Sequence, residues 1–335
     1  MNRPRPRSLV ITAGDPCGIG PEVILKALGQ SLPAHVRLIL VGDLAVFEQT
    51  AKRLGRRLPA PARAIGGPGP RWSALSFIDL AHRQRFAPGK PGAASGRASL
   101  DYLDAATHLL RCGLADGLVT APVTKWAITR AGHPFQGHTE YLAKALGGSE
   151  PVMMFVSPRL RVVLLTRHVA LRDVPRRVTT TLLQHTIRTT ADGLRRYFGI
   201  RHPRLAICGL NPHAGEAGMF GLEEQRLLAP LLRTFARDGV RLEGPVSADG
   251  FFVNPAGYDA VLCWYHDQGL IPFKMLARDA GCQLTLGLPM IRTSPDHGSA
   301  LDIAGKNRAH PGSMRYAIEL AAKLVNRRAH EVRAP

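Results

Sequence analysis

Short apolar runs that break off into polar, chemistry-bearing residues recur along this chain, and they constrain its fold more than any other feature. Residues 9–12, 37–41, 117–120, 152–156, 161–166, 204–210 and 260–264 each read as a short, largely apolar strand. The last of these, an uninterrupted apolar run with the character of a strand buried on both faces, leads at once into Tyr265-His-Asp-Gln-Gly269, with Lys274 a few residues on. Predicted helices at 21–28, 98–112 and 179–198 stand between the runs, and one at 313–328 follows them. This alternation predicts an open α/β architecture whose polar strand ends form the ligand edge.

The first strand-to-helix turn, residues 13–22, holds Gly14, Gly18 and Gly20, and a second strand ends close to Asp43. The pattern fails as a Rossmann fingerprint, because Val23 stands where the third glycine is required. Pro21 suits a first helical turn, where no backbone N–H is needed. The Pro/Gly-rich tract 59–70 and the stretch 89–96 read as exposed loops.

The chain of 335 residues is long enough for two domains sharing a cleft, and its formal charge of +19 raises the question of nucleic acid. Of 44 basic residues only eight are lysine; the arginines are scattered, and no zinc-finger, RNP or basic-helix pattern accompanies them. The charge reads as surface composition with a secondary pull on anionic substrates, and it argues against nucleic acid as partner. Five scattered cysteines without a CxxC fit a reducing compartment. No signal-peptide core and no apolar run of about eighteen residues is present. The expectation is a cytoplasmic protein without a membrane partner.

Candidate site residues cluster at the strand ends. Thr120 and Lys125 lie where a strand gives way to a helix, a natural anion site, although Lys125 also suits a solvated surface. In Gly137-His-Thr-Glu-Tyr-Leu-Ala143, His138 is a candidate substrate contact, and Thr139 has the chemistry of a helix cap. His168, His213 and His266 each follow a predicted strand, so only the fold can gather them. Three neutral imidazoles suit a divalent transition metal with open positions, while each alone could equally be a hydrogen-bonding residue. Asp249, in Ser247-Ala-Asp-Gly-Phe251, is a candidate acid or base. Arg292 stands in Leu286-Gly-Leu-Pro-Met-Ile-Arg-Thr-Ser-Pro-Asp-His-Gly298 as a fixed cation.

Taken together, Gly14-Asp-Pro-x-Gly-Ile-Gly-Pro-Glu22, Gly137–Ala143, Gly209-Leu-Asn-Pro-His-Ala-Gly-Glu216, Tyr265–Gly269 and Leu286–Gly298 resemble the bacterial 4-hydroxythreonine-4-phosphate dehydrogenase (PdxA) family of vitamin B6 synthesis. The resemblance runs in order from residue 9 to about 306. It implies a two-lobed, three-layer αβα sandwich similar to isocitrate and isopropylmalate dehydrogenases, not a Rossmann fold. One lobe would comprise 1–135 plus 308–335, the other 136–307 with the metal ligands and the dimer surface.

The resemblance further implies a homodimer with shared active sites, and His168, His213 and His266 as ligands of a divalent metal (Zn, Mg, Mn or Co). His138, Thr139, Lys274, Gln283 and Arg292 match substrate-binding positions, and Asp249 or Lys274 would take the proton. The implied reaction is NAD- or NADP-linked oxidation of 4-phosphohydroxy-L-threonine to a 3-oxo acid. This product decarboxylates to 3-amino-2-oxopropyl phosphate on the route to pyridoxine 5'-phosphate. The sequence departs from the family at Gln283, usually Asn, at Arg167, usually Thr, and over residues 219–222. These departures leave open a sister enzyme for D-threonate or D-erythronate 4-phosphate. A non-catalytic anion- or nucleic-acid-binding protein would require the loss of histidines that are all present.

Overall fold

The computed structural model describes residues 6–29, 33, 36–58, 62–63 and 75–331. The chain divides into two compact units, residues 1–151 with 288–335 and residues 152–287. Most of the tract 59–70, like the terminal residues 332–335, lies outside the described residues.

Unit 1 opens with β1 (Arg7–Thr12), α1 (Gly20–Leu28), β2 (Val36–Gly42), α2 (Leu44–Arg53), β3 (Ala62–Arg63) and β4 (Leu75–Asp79). It continues with α3 (Ala93–Arg111), β5 (Gly117–Thr120), α4 (Lys125–Arg130) and α5 (His138–Leu146). Unit 2 holds β6 (Val152–Val156), β7 (Arg161–Leu164), α6 (Val174–Arg177), α7 (Thr180–Gly193), β8 (Arg204–Cys208), α8 (Glu223–Arg237), β9 (Arg241–Val246), α9 (Ala248–Val253), β10 (Ala260–Cys263), α10 (His266–Ala277) and β11 (Cys282–Leu286). The chain then returns to unit 1 with β12 (Ile291–Pro295) and α11 (Gly312–Glu331).

In unit 1 the strand order is β3-β4-β2-β1-β5-β12, with every pair parallel. Strands covered on both faces cannot alternate apolar and polar residues, which is why Leu9, Val10 and Ile11 are all buried. In unit 2 the order is β11-β6-β7-β10-β8-β9; β6 runs antiparallel to both neighbours, and the rest are parallel. Its core gathers Phe155, Val162, Leu164, Val261 and Phe273 around the thiols of Cys208 and Cys263. Trp264, fully buried, donates its indole N–H to the Cys208 carbonyl at 2.6 Å. The fold is thus mixed α/β, with sheet strands flanked by helices.

One expectation changes. The stretch 89–96 is not a loop throughout: α3 starts at Ala93, with the Ser95 hydroxyl exchanging hydrogen bonds with Gly92. Gly96 is inside the helix because α4 crosses it closely; an added Cβ would stand 2.1 Å from the Ala127 carbonyl oxygen. The two compact units divide at 151/152 and 287/288. Helix α5 packs on α3, with the Tyr141 hydroxyl bonded to Asp104, and β12 pairs with β5 so that Arg292 lies beside Leu118. His138, Thr139 and Arg292 therefore belong to unit 1.

Candidate active site

The glycines of the first turn serve packing. A Cβ on Gly14 would meet the Pro122 carbonyl at 2.3 Å, and one on Gly20 the Ala13 carbonyl at 2.2 Å. Backbone of the turn is pressed against backbone, so the G-x-G resemblance to a dinucleotide motif has a structural origin.

Beyond this turn, unit 1 holds an open cavity of about 160 Å³ lined by Thr120, Lys125, His138, Arg292, Ser294 and His297 among others. Arg292 is only 4% exposed, and its Nη2 and Nε donate to Thr120 Oγ1 at 2.6 and 3.2 Å. Burial pushes this guanidinium down to about 10, against the opposing pull of Glu140, which leaves it charged at neutral pH. His138 is the first residue of α5, with Gly137 at the cap. Burial, and then the charges of Arg292 and Lys125, hold its imidazole well below the ordinary value, so it is neutral. A side chain at Gly137 would come within 2.8 Å of Glu140 Oε2 and 3.6 Å of Lys125 Nζ. Thr139 is buried inside the helix, and no side chain caps its start.

Unit 2 carries the other candidates. His266 opens α10, whose seat on β7 and β10 requires Gly269; a Cβ there would stand 2.6 Å from Val162. The His266 and His168 rings lie 5.9 Å apart, centroid to centroid. His266 Nδ1 is 2.7 Å from Asp267 Oδ1, and His213 Nδ1 is 3.0 Å from Glu216 Oε2. A carboxylate accepts, so each Nδ1 donates and each Nε2 is left for another partner, the arrangement usual for imidazoles that ligate metals.

His213 sits in an unusual turn, Pro212–Gly218, where His213, Ala214, Glu216 and Ala217 all have positive φ. Each such residue costs roughly 1–2 kcal/mol. The turn is anchored by Asn211, whose backbone N–H donates to Glu224 at 2.7 Å and whose side chain donates to Glu223 and Glu224. Strain of this kind is characteristic of functional segments.

Among the described residues no three His, Cys, Asp or Glu side chains are close enough to hold an ion. One chain pairs two imidazoles and leaves the third outside their group. Asp249 accepts from Ser247 Oγ at 2.5 Å. That bond, then the Gly250 N–H, holds its carboxyl below the ordinary value, with a smaller contribution from the charge of His213. Lys274 is exposed on α10. Gln283 is buried in β11, where its Nε2 donates to Thr285 Oγ1 at 2.9 Å. Glu216, Asp267 and His297 were not singled out by sequence reasoning; all three lie inside or beside the quoted motifs.

Compared with known families, residues 34–321 match the family model described as Pyridoxal phosphate biosynthetic protein PdxA. The chain belongs to the PdxA family. A 4-hydroxythreonine-4-phosphate dehydrogenase of Geobacter metallireducens is 44% identical over 337 residues, 97% of each chain. Among solved PdxA-like structures, the 4-hydroxythreonine-4-phosphate dehydrogenase of Klebsiella pneumoniae has a TM-score of 0.82 at 35% identity, covering 95% of this chain and 99% of that one. A terephthalate 1,2-cis-dihydrodiol dehydrogenase of Burkholderia xenovorans LB400 shares the fold with a TM-score of 0.65 at 30% identity, over 95% and 98% of the two chains. PdxA membership makes the chain an oxidoreductase of a family described by its part in pyridoxal phosphate synthesis. Among the described residues no helix is long and apolar enough to cross a membrane.

Proposed function

We propose that the protein oxidises 4-phosphohydroxy-L-threonine at its 3-hydroxyl, using NAD or NADP and a divalent metal. The observation that carries this reading is identity of 44% across 97% of the chain to an enzyme named for that substrate, together with a cation-lined cavity and imidazoles whose Nδ1 atoms are already engaged. Oxidation at C3 removes a hydride and a proton. Asp249, an ionised carboxylate beside His213, or Lys274 accepts the proton. The 3-oxo acid then loses its carboxyl as CO₂, leaving 3-amino-2-oxopropyl phosphate.

His168, His213 and His266 would hold the metal, and their chemistry fits: Nε2 of His213 and His266 is oriented by carboxylates, and His168 stands next to His266. A divalent ion there would supply Lewis-acid polarisation of the substrate's oxygen, while the nicotinamide would take the hydride. The missing proximity of His213 is explained by a homodimer in which a second copy completes the set. Exposed apolar side chains support that reading, because they accompany each ligand: Leu171 follows His168, Met219, Phe220 and Leu222 follow His213, and Ile271 and Met275 share α10 with His266. Thr139 and Gln283 complete the substrate contacts expected beside His138, Lys274 and Arg292.

A four-carbon sugar-acid phosphate is the second reading, favoured by Gln283, a longer amide than the usual Asn, whose nitrogen donates to Thr285 Oγ1. The discriminating experiment follows NAD(P)H formation with 4-phosphohydroxy-L-threonine, D-threonate 4-phosphate and D-erythronate 4-phosphate. Preference for the amino-bearing substrate is expected. Preference for either sugar acid would transfer the assignment to the second reading, and no turnover with any of them would refute both.

A further inference from the structure

Leaving β4, the chain turns through Ala81, held at positive φ, into an irregular segment, residues 80–92, that leads to α3. Its far end is wedged into unit 1. The Gly89 N–H donates to the Cys17 carbonyl at 2.7 Å; a Cβ on Gly89 would stand 2.8 Å from the Leu301 carbonyl oxygen, and one on Gly305 would stand 2.8 Å from Pro88 Cβ. The segment thus straps the first turn to the loop that follows His297. Its near end is fixed by His82.

His82 faces a carboxylate with each ring nitrogen. Nδ1 lies 2.9 and 3.2 Å from the two oxygens of Asp43, just past β2, and Nε2 lies 3.0 Å from Asp101 Oδ2 on α3. Ionised carboxylates only accept, so both nitrogens carry hydrogen and the ring is an imidazolium. The groups around it agree with that charge. Asp43, whose side chain is 3% exposed, also takes the His82 backbone N–H at 3.1 Å and the Tyr102 hydroxyl at 2.8 Å. Burial, and then Asp43, with smaller contributions from Asp15 and Asp101, push the Tyr102 phenol up, so it stays a donor. Arg97 Nε donates to Asp101 Oδ1 at 2.9 Å, Asp79 Oδ1 accepts from the N–H groups of Leu44 and Ala81, and Arg83 and Arg85 are exposed. Asp43 and Asp101 are balanced by His82 and Arg97 only while the imidazole holds its second proton.

A neutral ring keeps one N–H. Asp43 is the more buried carboxylate and offers two oxygens, so that hydrogen stays on Nδ1 and the Nε2 lone pair is left facing Asp101, acceptor against acceptor. We propose that His82 is a proton-operated latch: charged, it fastens the strap 80–92 to both Asp43 and α3; neutral, it releases α3 and loosens the strap. Burial opposes the charge on the ring, but the bonds and charges of Asp101 and Asp43 outweigh it and raise the imidazole above its ordinary value of 6.5. A raised folded value gives stability that is complete below 6.5 and lost as pH rises through the folded value, so the latch opens on the alkaline side.

The test is amide hydrogen exchange of the full chain, read by mass spectrometry from pH 6 to 9 and corrected for the intrinsic pH dependence of exchange, with peptides from β5 as the internal reference. Protection of residues 83–91 should fall about tenfold relative to β5 across that range, the scale of one hydrogen bond between charged groups. His82→Gln, which cannot take the charge, should leave the strap weakly protected at every pH. Asp101→Asn is the milder variant, because the side chain is partly exposed and an amide can pair with Nε2 in either protonation state; it should hold the strap with protection nearly independent of pH. Strap protection that stays constant from pH 6 to 9 in the native protein would overturn the proposal, as would a native-like alkaline loss in either variant.

Discussion

Unit 1 and unit 2 prepare their polar groups in opposite ways. In unit 1 the principal cation is locked in place before a ligand arrives: Arg292 is 4% exposed, and both its bonds to Thr120 are made. In unit 2 the imidazoles stand in solvent, with the His213 and His266 side chains 68% and 42% exposed, and the described residues of one chain do not assemble three ligands. The difference is between a buried, already paired cation in unit 1 and exposed imidazoles in unit 2; on the function proposed above, the imidazoles would need an ion and a second copy to become a site.

Substitutions can break this contrast. The largest effect is expected for His213→Ala: turnover falls on the order of a thousandfold, the scale of several kcal/mol of Lewis-acid stabilisation. The melting temperature of the metal-free protein stays unchanged, because the side chain is exposed. Activity close to native, followed as NAD(P)H formation, would remove His213 from the metal set. Arg292→Met is expected to raise KM about a hundredfold, as loss of a charge-assisted contact from a buried site does. It should also lower the melting temperature, since Thr120 loses its partner. Thr120→Val leaves the guanidinium charged but removes one of its anchors, and should raise KM about tenfold with kcat little altered. An unchanged KM would mean that Arg292 needs no prior fixing, which would erase the contrast with unit 2.

The smallest effect concerns pH. The folded-state pKa of His138 lies well below its ordinary value of 6.5, so the fold favours the neutral ring. Its contribution to stability is complete above that value and is lost as pH falls from it toward the folded value, by up to about 1.4 kcal/mol per pH unit. Melting temperatures compared between the native chain and His138→Asn from pH 7.5 to 5 should converge on acidification. A difference that stays constant would mean that the ring protonates freely in the fold.

How much of this was legible in the sequence follows from which interactions are local. Strands covered on both faces announce themselves as apolar runs, so β1, β5, β8 and β10 could be placed within a residue or two, and His168 and His266 read as strand-end residues. The start of α3 could not be read, because Gly96 reports contact with Ala127, a partner far along the chain. Likewise α5 and β12 take their membership of unit 1 from α3 and β5, and nothing within their own residues says so. The left-handed turn at His213 was hidden, since Ala214, Glu216 and Ala217 are poor formers of that conformation and the Asn211 bonds that help hold them there reach to α8.

The most direct test of the two-part site is a metal titration. The purified protein, stripped with a chelator and assayed with 4-phosphohydroxy-L-threonine and NAD or NADP, should be inactive. It should recover as Zn²⁺, Mn²⁺, Co²⁺ or Mg²⁺ is returned, saturating at one ion per chain in a species that sediments as a dimer. Full turnover by a chelated monomer with no bound ion would contradict the account at its centre.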